Sequence, residues 1–317
     1  MTQWKKKSYE EILACLETGI LTQSELCKLG RECVYSDIRK EAVRKITDQN
    51  VLAEIASYDE SYEVFKMAID RIFEESFLEK VVSHASDKYA CSLAVRKIED
   101  ADTLLKIAKT HIYTEVRIEA LHNLNRPDLL LQIAQKNSDS DVRAAAINKL
   151  PSQLEIARIA TWDEDPVVYR AAIKAMTDPE RLAEIALENV GKIKGTIALY
   201  RLRELSHKIN IDRGVVYSLF PLFRTQNAIV IVIGLMEKAG VNWFSLCDLD
   251  TVEVLRREYS VSDPQNSQFI EQCVKSLYTH RPDLRDYLQA KEWMTPCEED
   301  SATGARAMRK LVFFQGT

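Results

Sequence analysis

Asp141-Val142-Arg143-Ala144-Ala145-Ala146-Ile147-Asn148-Lys149-Leu150 decides how this chain is read. Moved back by 26 residues, the same pattern stands as Glu115-Val116-Arg117-Ile118-Glu119-Ala120-Leu121-His122-Asn123-Leu124. The alanine at its centre recurs at that interval as Ala42, Ala68, Ala94, Ala120, Ala146, Ala172 and Ala198. Around it run parallel apolar columns. Four residues earlier come Ile38, Val64, Ala90, Val116, Val142 and Val168; one later come Val43 through Leu199; four later come Ile46 through Leu202. Apolar positions at i, i+4, i+5 and i+8 make one stripe of an α-helix, and alanine at the stripe's centre lets another backbone come close.

A second apolar group follows in each unit. Leu52, Leu78, Leu104, Leu130, Ile156 and Leu182 lead it. Ile55, Val81, Ile107, Ile133, Ile159 and Ile185 follow three residues on, and Ala56, Val82, Ala108, Ala134, Ala160 and Ala186 come next. The i, i+3, i+4 spacing predicts a second short helix, opened by capping residues such as Thr47-Asp48 and Thr177-Asp178-Pro179. Two helices of about ten residues and two short turns fill such a unit. A fixed period in the range of about 20–50 residues marks a solenoid, whose units bury apolar surface only against neighbours. The predicted fold is all-α, an α-α superhelix with a helical C-terminal module. A weaker N-terminal register, in Ile12, Leu16, Ile20, Leu26 and Leu29, reads as a capping repeat. The organisation expected is an array over residues 1–205 and a helical capping or effector module over 206–317.

The Asp141–Ala146 and Glu115–Ala120 runs resemble the second helix of a HEAT-like repeat, and Leu182-Ala183-Glu184-Ile185-Ala186 resembles its first. The short unit is similar to bacterial HEAT-like and leucine-rich-repeat-variant solenoids. The resemblance covers about three fifths of the chain and implies fold more than function, since such folds host many roles. It implies a concave face lined by the second helix. Some HEAT-like proteins are alkylpurine DNA glycosylases, but their motif cannot be laid on this chain, and no catalytic residue is carried over.

Composition narrows the function classes. None of the nine glycines lies between Arg31 and Val190, so no dinucleotide fingerprint or P-loop fits that stretch. The seven cysteines are scattered, odd in number and without a C-x-x-C pair. That pattern reads as a reduced, cytoplasmic chain. The five histidines show no short ligand spacing; no metal and no cofactor are expected. The basic start, Met1 to Lys7, leads into an amphipathic helix and not a signal core. The longest apolar run, Ala228 to Met236, is too short to span a bilayer and reads as a buried helix.

Charge supplies the candidate site. Net charge is −5, yet two adjacent columns of the second helix are basic. One reads Arg44, Asp70, Arg96, His122, Asn148, Lys174, Tyr200; the next reads Lys45, Arg71, Lys97, Asn123, Lys149, Ala175, Arg201. A stacked basic stripe suits an acidic peptide, an acidic protein surface or a phosphate backbone. Helix-end electrostatics produces the same columns, with cations in the last turn and acids such as Asp37, Glu63, Glu115 and Asp141 in the first. The candidate contact residues are Arg44, Arg96, Lys97, His122, Lys149 and Lys174. Arg39, Arg117 and Arg143 lie at the edge of the apolar arc and are expected to pair with turn acids of a neighbouring unit. Trp162-Asp163-Glu164-Asp165-Pro166 reads as an acid-capped turn, or as a grip for a cation. The leading reading is a non-enzymatic scaffold for a protein or acidic peptide, without a membrane role. The alternative is a nucleic-acid-binding protein, possibly a DNA-modifying enzyme.

From about residue 206 aromatics become denser. Helices are expected at 214–220, 226–239, 249–258, 265–279 and 283–293, with Asp263 capping the fourth. The tail ends in the apolar run Leu311-Val312-Phe313-Phe314, which is expected to dock on the body or on a partner.

Overall fold

A computed structural model describes residues 7–225, 228–261 and 264–290. The cap at Asp263, the basic start at Met1–Lys6 and the apolar run Leu311–Phe314 lie outside the described residues. Among those described, the secondary structure is α-helix and short 3₁₀ turns, with no strand. By compactness the chain divides into two units, Met1–Glu155 and Ile156–Thr317. The change in sequence pattern after the last alanine unit therefore falls inside the second unit.

In the first unit α1 (Tyr9–Glu17) precedes five helix pairs. These are α2 (Gln23–Glu32) with α3 (Ser36–Val43), α4 (Gln49–Tyr58) with α5 (Tyr62–Arg71), α6 (Glu75–His84) with α7 (Lys88–Val95), α8 (Ala101–Thr110) with α9 (Thr114–Asn123), and α10 (Pro127–Lys136) with α11 (Ser140–Ile147). Each pair packs together, and the second helices stack in chain order, α3 on α5, α5 on α7, α7 on α9 and α9 on α11. The sequence columns are the cause. All seven repeat alanines are fully buried, as are Val116, Val142, Ile46 and Ile72 beside them, so each second helix is held close to its neighbours by its smallest side chain. Leu52, Leu78, Leu104 and Leu130 bury the facing side of the first helices.

Polar residues set the helix ends. The carboxylates of Asp48, Asp87, Asp100 and Asp139 accept backbone N–H bonds in the first turns of α4, α7, α8 and α11. Ser8 with Glu11 and Thr22 with Glu25 form reciprocal capping boxes at α1 and α2.

α12 (Gln153–Trp162) crosses the division. The second unit continues with α13 (Pro166–Ala175), α14 (Pro179–Glu188) and α15 (Ile193–Ser206), where α15 packs on both α13 and α14. Asp178 caps α14 with Pro179 in its first turn. Gly191 takes φ 74° in the turn between α14 and α15, a backbone region that favours glycine. The remaining helices are α16 (Arg213–Ser218), α17 (Ile229–Lys238), α18 (Leu249–Val261), α19 (Pro264–His280) and α20 (Pro282–Ala290), with 3₁₀ turns at Phe220–Arg224 and Trp243–Leu246. The helix expected over 214–220 runs Arg213–Ser218, and a 3₁₀ turn begins at Phe220. The apolar run forms α17, which is buried from Ile229 to Met236 except at Gly234. No described helix is long and apolar enough to cross a membrane.

Candidate partner-binding face

Each second helix buries its alanine stripe and turns an arc of residues at i, i+3, i+4 and i+7 outward. On α3 the arc is Asp37, Lys40, Glu41, Arg44; on α5 it is Glu63, Lys66, Met67, Asp70; on α7 it is Tyr89, Ser92, Leu93, Arg96; on α9 it is Glu115, Ile118, Glu119, His122. Cations on one helix reach carboxylates on the next. Lys40 Nζ donates to Glu63 at 2.7 Å, Lys88 Nζ to Glu115 at 2.7 Å and Arg96 Nε to Glu119 at 2.9 Å. These pairs hold the Glu63 and Glu115 carboxyls below the usual range, first by the hydrogen bond from the lysine. Solvent screens exposed pairs of this kind, so they contribute little to stability. Between them the arc carries apolar side chains: Met67 and Leu93 are half-buried and Tyr89 is exposed, and Tyr62 is exposed one position before Glu63. Lys66 Nζ lies 5.7 Å from the centre of the Tyr62 ring.

The six residues expected to touch a partner divide by column. Arg44, Arg96, His122 and Lys174 are exposed on the arc. Arg44 is bonded to Glu41 within its own helix at 2.6 Å, and Arg96 to Glu119. Lys97 and Lys149 turn the other way. Lys97 Nζ donates to the carbonyls of Ile69, Asp70 and Ile72 at 2.8, 3.0 and 2.6 Å. Lys149 Nζ donates to the carbonyls of Leu121, His122 and Leu124 at 3.0, 2.6 and 3.0 Å. The last carbonyls of a helix have no partner within it, and here the next repeat supplies the donor. Burial lowers both lysine pKa values. Other residues of this column do the same: Lys45 caps Leu16, Arg71 caps Ile46, Asn123 caps Val95 and Arg201 caps Met176. The basic column thus serves helix ends, and the ends are those of the preceding repeat.

Arg39 and Arg117 pair with turn acids of the next unit as expected, and Arg143 bonds backbone carbonyls of the turn before its own helix. Arg39 grips Asp59, in the turn before α5, with Nε and Nη2 at 2.7 and 2.8 Å. Arg117 bonds Asp139 at 2.5 Å in the turn before α11, and Arg143 donates to the Asn137 carbonyl at 2.8 Å. In the Trp162 loop, Asp163 accepts from the Asp165 amide and Asp165 from that of Val167. The acids there cap α13, and Lys194 Nζ donates to the Thr161 and Asp163 carbonyls.

Tyr62, Tyr89 and Leu93 were not among the residues picked out by charge. Their signal was available in the columns headed by Ser36, Asp37 and Glu41, of which the last two share the arc with Arg44. No group of three His, Cys, Asp or Glu side chains suited to a metal occurs among the described residues. A cleft of about 50 Å³ lies against Asn189, Gly191, Thr196 and Leu222, far below the several hundred Å³ of a small-molecule site. Comparison of the chain with protein-family models, curated proteins and solved structures gave no significant match.

Proposed function

We propose that this chain is a non-enzymatic HEAT-like repeat scaffold that holds a protein or peptide partner along the exposed arcs of its second helices. The observation that carries this reading is the composition of the arcs. Tyrosine, aliphatic and arginine side chains share the outward side of two successive second helices, Tyr62 and Met67 on α5 and Tyr89, Leu93 and Arg96 at α7, with Met67 and Leu93 at the same repeat position. Aromatic and arginine side chains dominate binding at protein interfaces. Arg44, Arg96, His122 and Lys174 contact the partner, and Lys97 and Lys149 hold the repeats in register beneath it. Residues 1–205 form the array, and 206–317 form a capping or effector module.

Nucleic acid fits less well. The ammonium groups of Lys97 and Lys149 are bonded to carbonyls, and Glu63, Glu115 and Glu119 stand on the same arcs as the cations, where they repel phosphate. The six described cysteines are unpaired, and burial pushes the Cys91 thiol up to about 11 and Cys247 to about 12. Unpaired thiols, with Cys91 and Cys247 held protonated by burial, accord with a reducing cytoplasm.

A pull-down from native lysate, with and without nuclease, tests the reading. A folded Arg96→Glu, Lys174→Glu variant is expected to lose a protein partner that wild type captures irrespective of nuclease. Equal capture by both proteins, or capture abolished by nuclease, overturns it.

A further inference from the structure

Two cations on the second unit stand where the repeat has removed their carboxylates. In the first unit Lys40 bonds Glu63 on the next second helix, and Arg96 bonds Glu119 on the next. Five repeats after Lys40 and Glu63 come Arg170 and Ile193; three repeats after Arg96 and Glu119 come Lys174 and Ile197. The cations are kept and both acids have become isoleucine. Arg170 and Lys174 are exposed on α13, and Ile193 is 64% exposed on the neighbouring α15. Val167 on α13 and Tyr200 on α15 extend the apolar surface, at 44% and 50% exposure. The spacing is i, i+3 and i+7 for Val167, Arg170 and Lys174, and i, i+4 and i+7 for Ile193, Ile197 and Tyr200, so each set shares one face of its helix. The only carboxylate within α13 and α15, Glu204, is bonded by Arg201 at 2.9 Å. The acids before α13, Asp163 and Asp165, face backbone amides at the opposite end of the helix from Lys174.

We propose that the α13–α15 face is the docking site for an acidic amphipathic helix of a partner protein, whose carboxylates replace the missing glutamates at Arg170 and Lys174. This rests on the scaffold reading and specifies where and what the scaffold binds. The apolar side chains of the helix lie on Ile193, Ile197 and Tyr200, following the helix-in-groove pattern of anchors at i, i+3, i+4 and i+7. Its acids make charge-assisted bonds to the two cations. A polynucleotide offers charge but no aliphatic side to cover the isoleucines.

The test uses the full chain and a fluorescein-labelled synthetic helix with leucines at i, i+3, i+4 and i+7 and glutamates on its flanks, read by fluorescence anisotropy. A lysine-flanked counterpart and vesicles of phosphatidylserine and phosphatidylcholine serve as rival probes. Wild type is expected to bind the glutamate helix saturably. Arg170→Glu with Lys174→Glu weakens that binding by at least about tenfold and binds the lysine helix instead. Ile193→Glu with Ile197→Glu restores the first-unit ion pairs; it loses the peptide to a similar degree while melting no lower than wild type. Lys106→Glu with Lys136→Glu, exposed on the first helices α8 and α10, leaves the affinity unchanged.

The inference is overturned if wild type does not bind the glutamate helix, or if the Lys106, Lys136 variant loses it as fully as the Arg170, Lys174 variant does. It is also overturned if the vesicles bind at this face and the peptide does not. Each of these results leaves the scaffold reading standing where the pull-down still yields a protein partner lost in the Arg96, Lys174 variant.

Discussion

Lys97 and Lys174 are the same residue type in adjacent columns of one repeat, and the structure gives them different tasks. Neighbouring helix positions are rotated by about 100°. One column therefore faces out and the next faces back to the preceding repeat. Lys97→Met leaves three carbonyls without their donor and is expected to cost about 1–3 kcal/mol in urea unfolding. Lys174→Met is expected to stay within about 0.5 kcal/mol of wild type; equal losses in the two variants would contradict the assignment. Asp59 holds the Arg39 guanidinium with both oxygens, and both side chains are largely buried. Asp59→Ala strands that cation and is expected to cost about 3–5 kcal/mol by the same measurement. Asp248 caps α18 through Thr251 and also accepts from Arg224. Hydrogen bonds from Thr251, with the Arg224 guanidinium beside them, hold its pKa at about 2, below the unfolded value of about 3.9. A carboxyl with a depressed folded pKa contributes stability above its unfolded pKa, and that stability is lost as pH falls through the folded value. Thermal melts between those two values are thus expected to fall less steeply for Asp248→Asn than for wild type; identical slopes would remove Asp248 from the acid response.

At the scale of elements the array was legible in the sequence, because burial repeats with the chain. Every alanine of the seven-fold column is fully buried, and the helix pairs follow its period. The column of charge was legible as chemistry but not as direction, since a basic column at a helix end looks the same whether it caps a neighbour or faces solvent. The tyrosines of α5 and α7 were harder to see, because each repeat varies its exposed arc freely while its core cannot vary. The C-terminal helices have no period to align them, and their ends are set by single turns such as the 3₁₀ segment at Phe220–Arg224. Gly195 marks another departure from the repeat, since it replaces the Arg39, Arg117 and Arg143 column. A Cβ there would stand 2.3 Å from the Asn189 carbonyl oxygen. Gly195→Ala must push the α14–α15 turn away from α15 and is expected to destabilise the chain by about 1–3 kcal/mol, read as a lowered melting temperature; an unchanged melt would mean that the turn gives way freely.

At the scale of the molecule, the described helices form two compact units that share one repeat pattern but differ in how they use its surface. In the first unit, carboxylates from the next repeat bond Lys40, Lys88 and Arg96. In the second, α13 and α15 present cations beside isoleucine and tyrosine with no such carboxylate. A surface built of fixed helices and variable arcs is suited to holding an extended partner. The central claim is that the partner lies on the second helices. A photo-crosslinking amino acid placed in turn at Tyr89 and Tyr200 on the second helices, at Lys106 on α8 and at Tyr217 on α16 tests it directly in cells. The account predicts covalent protein adducts from Tyr89 or Tyr200 and none from Lys106 or Tyr217; adducts confined to Lys106 or Tyr217, or adducts to nucleic acid, would contradict it.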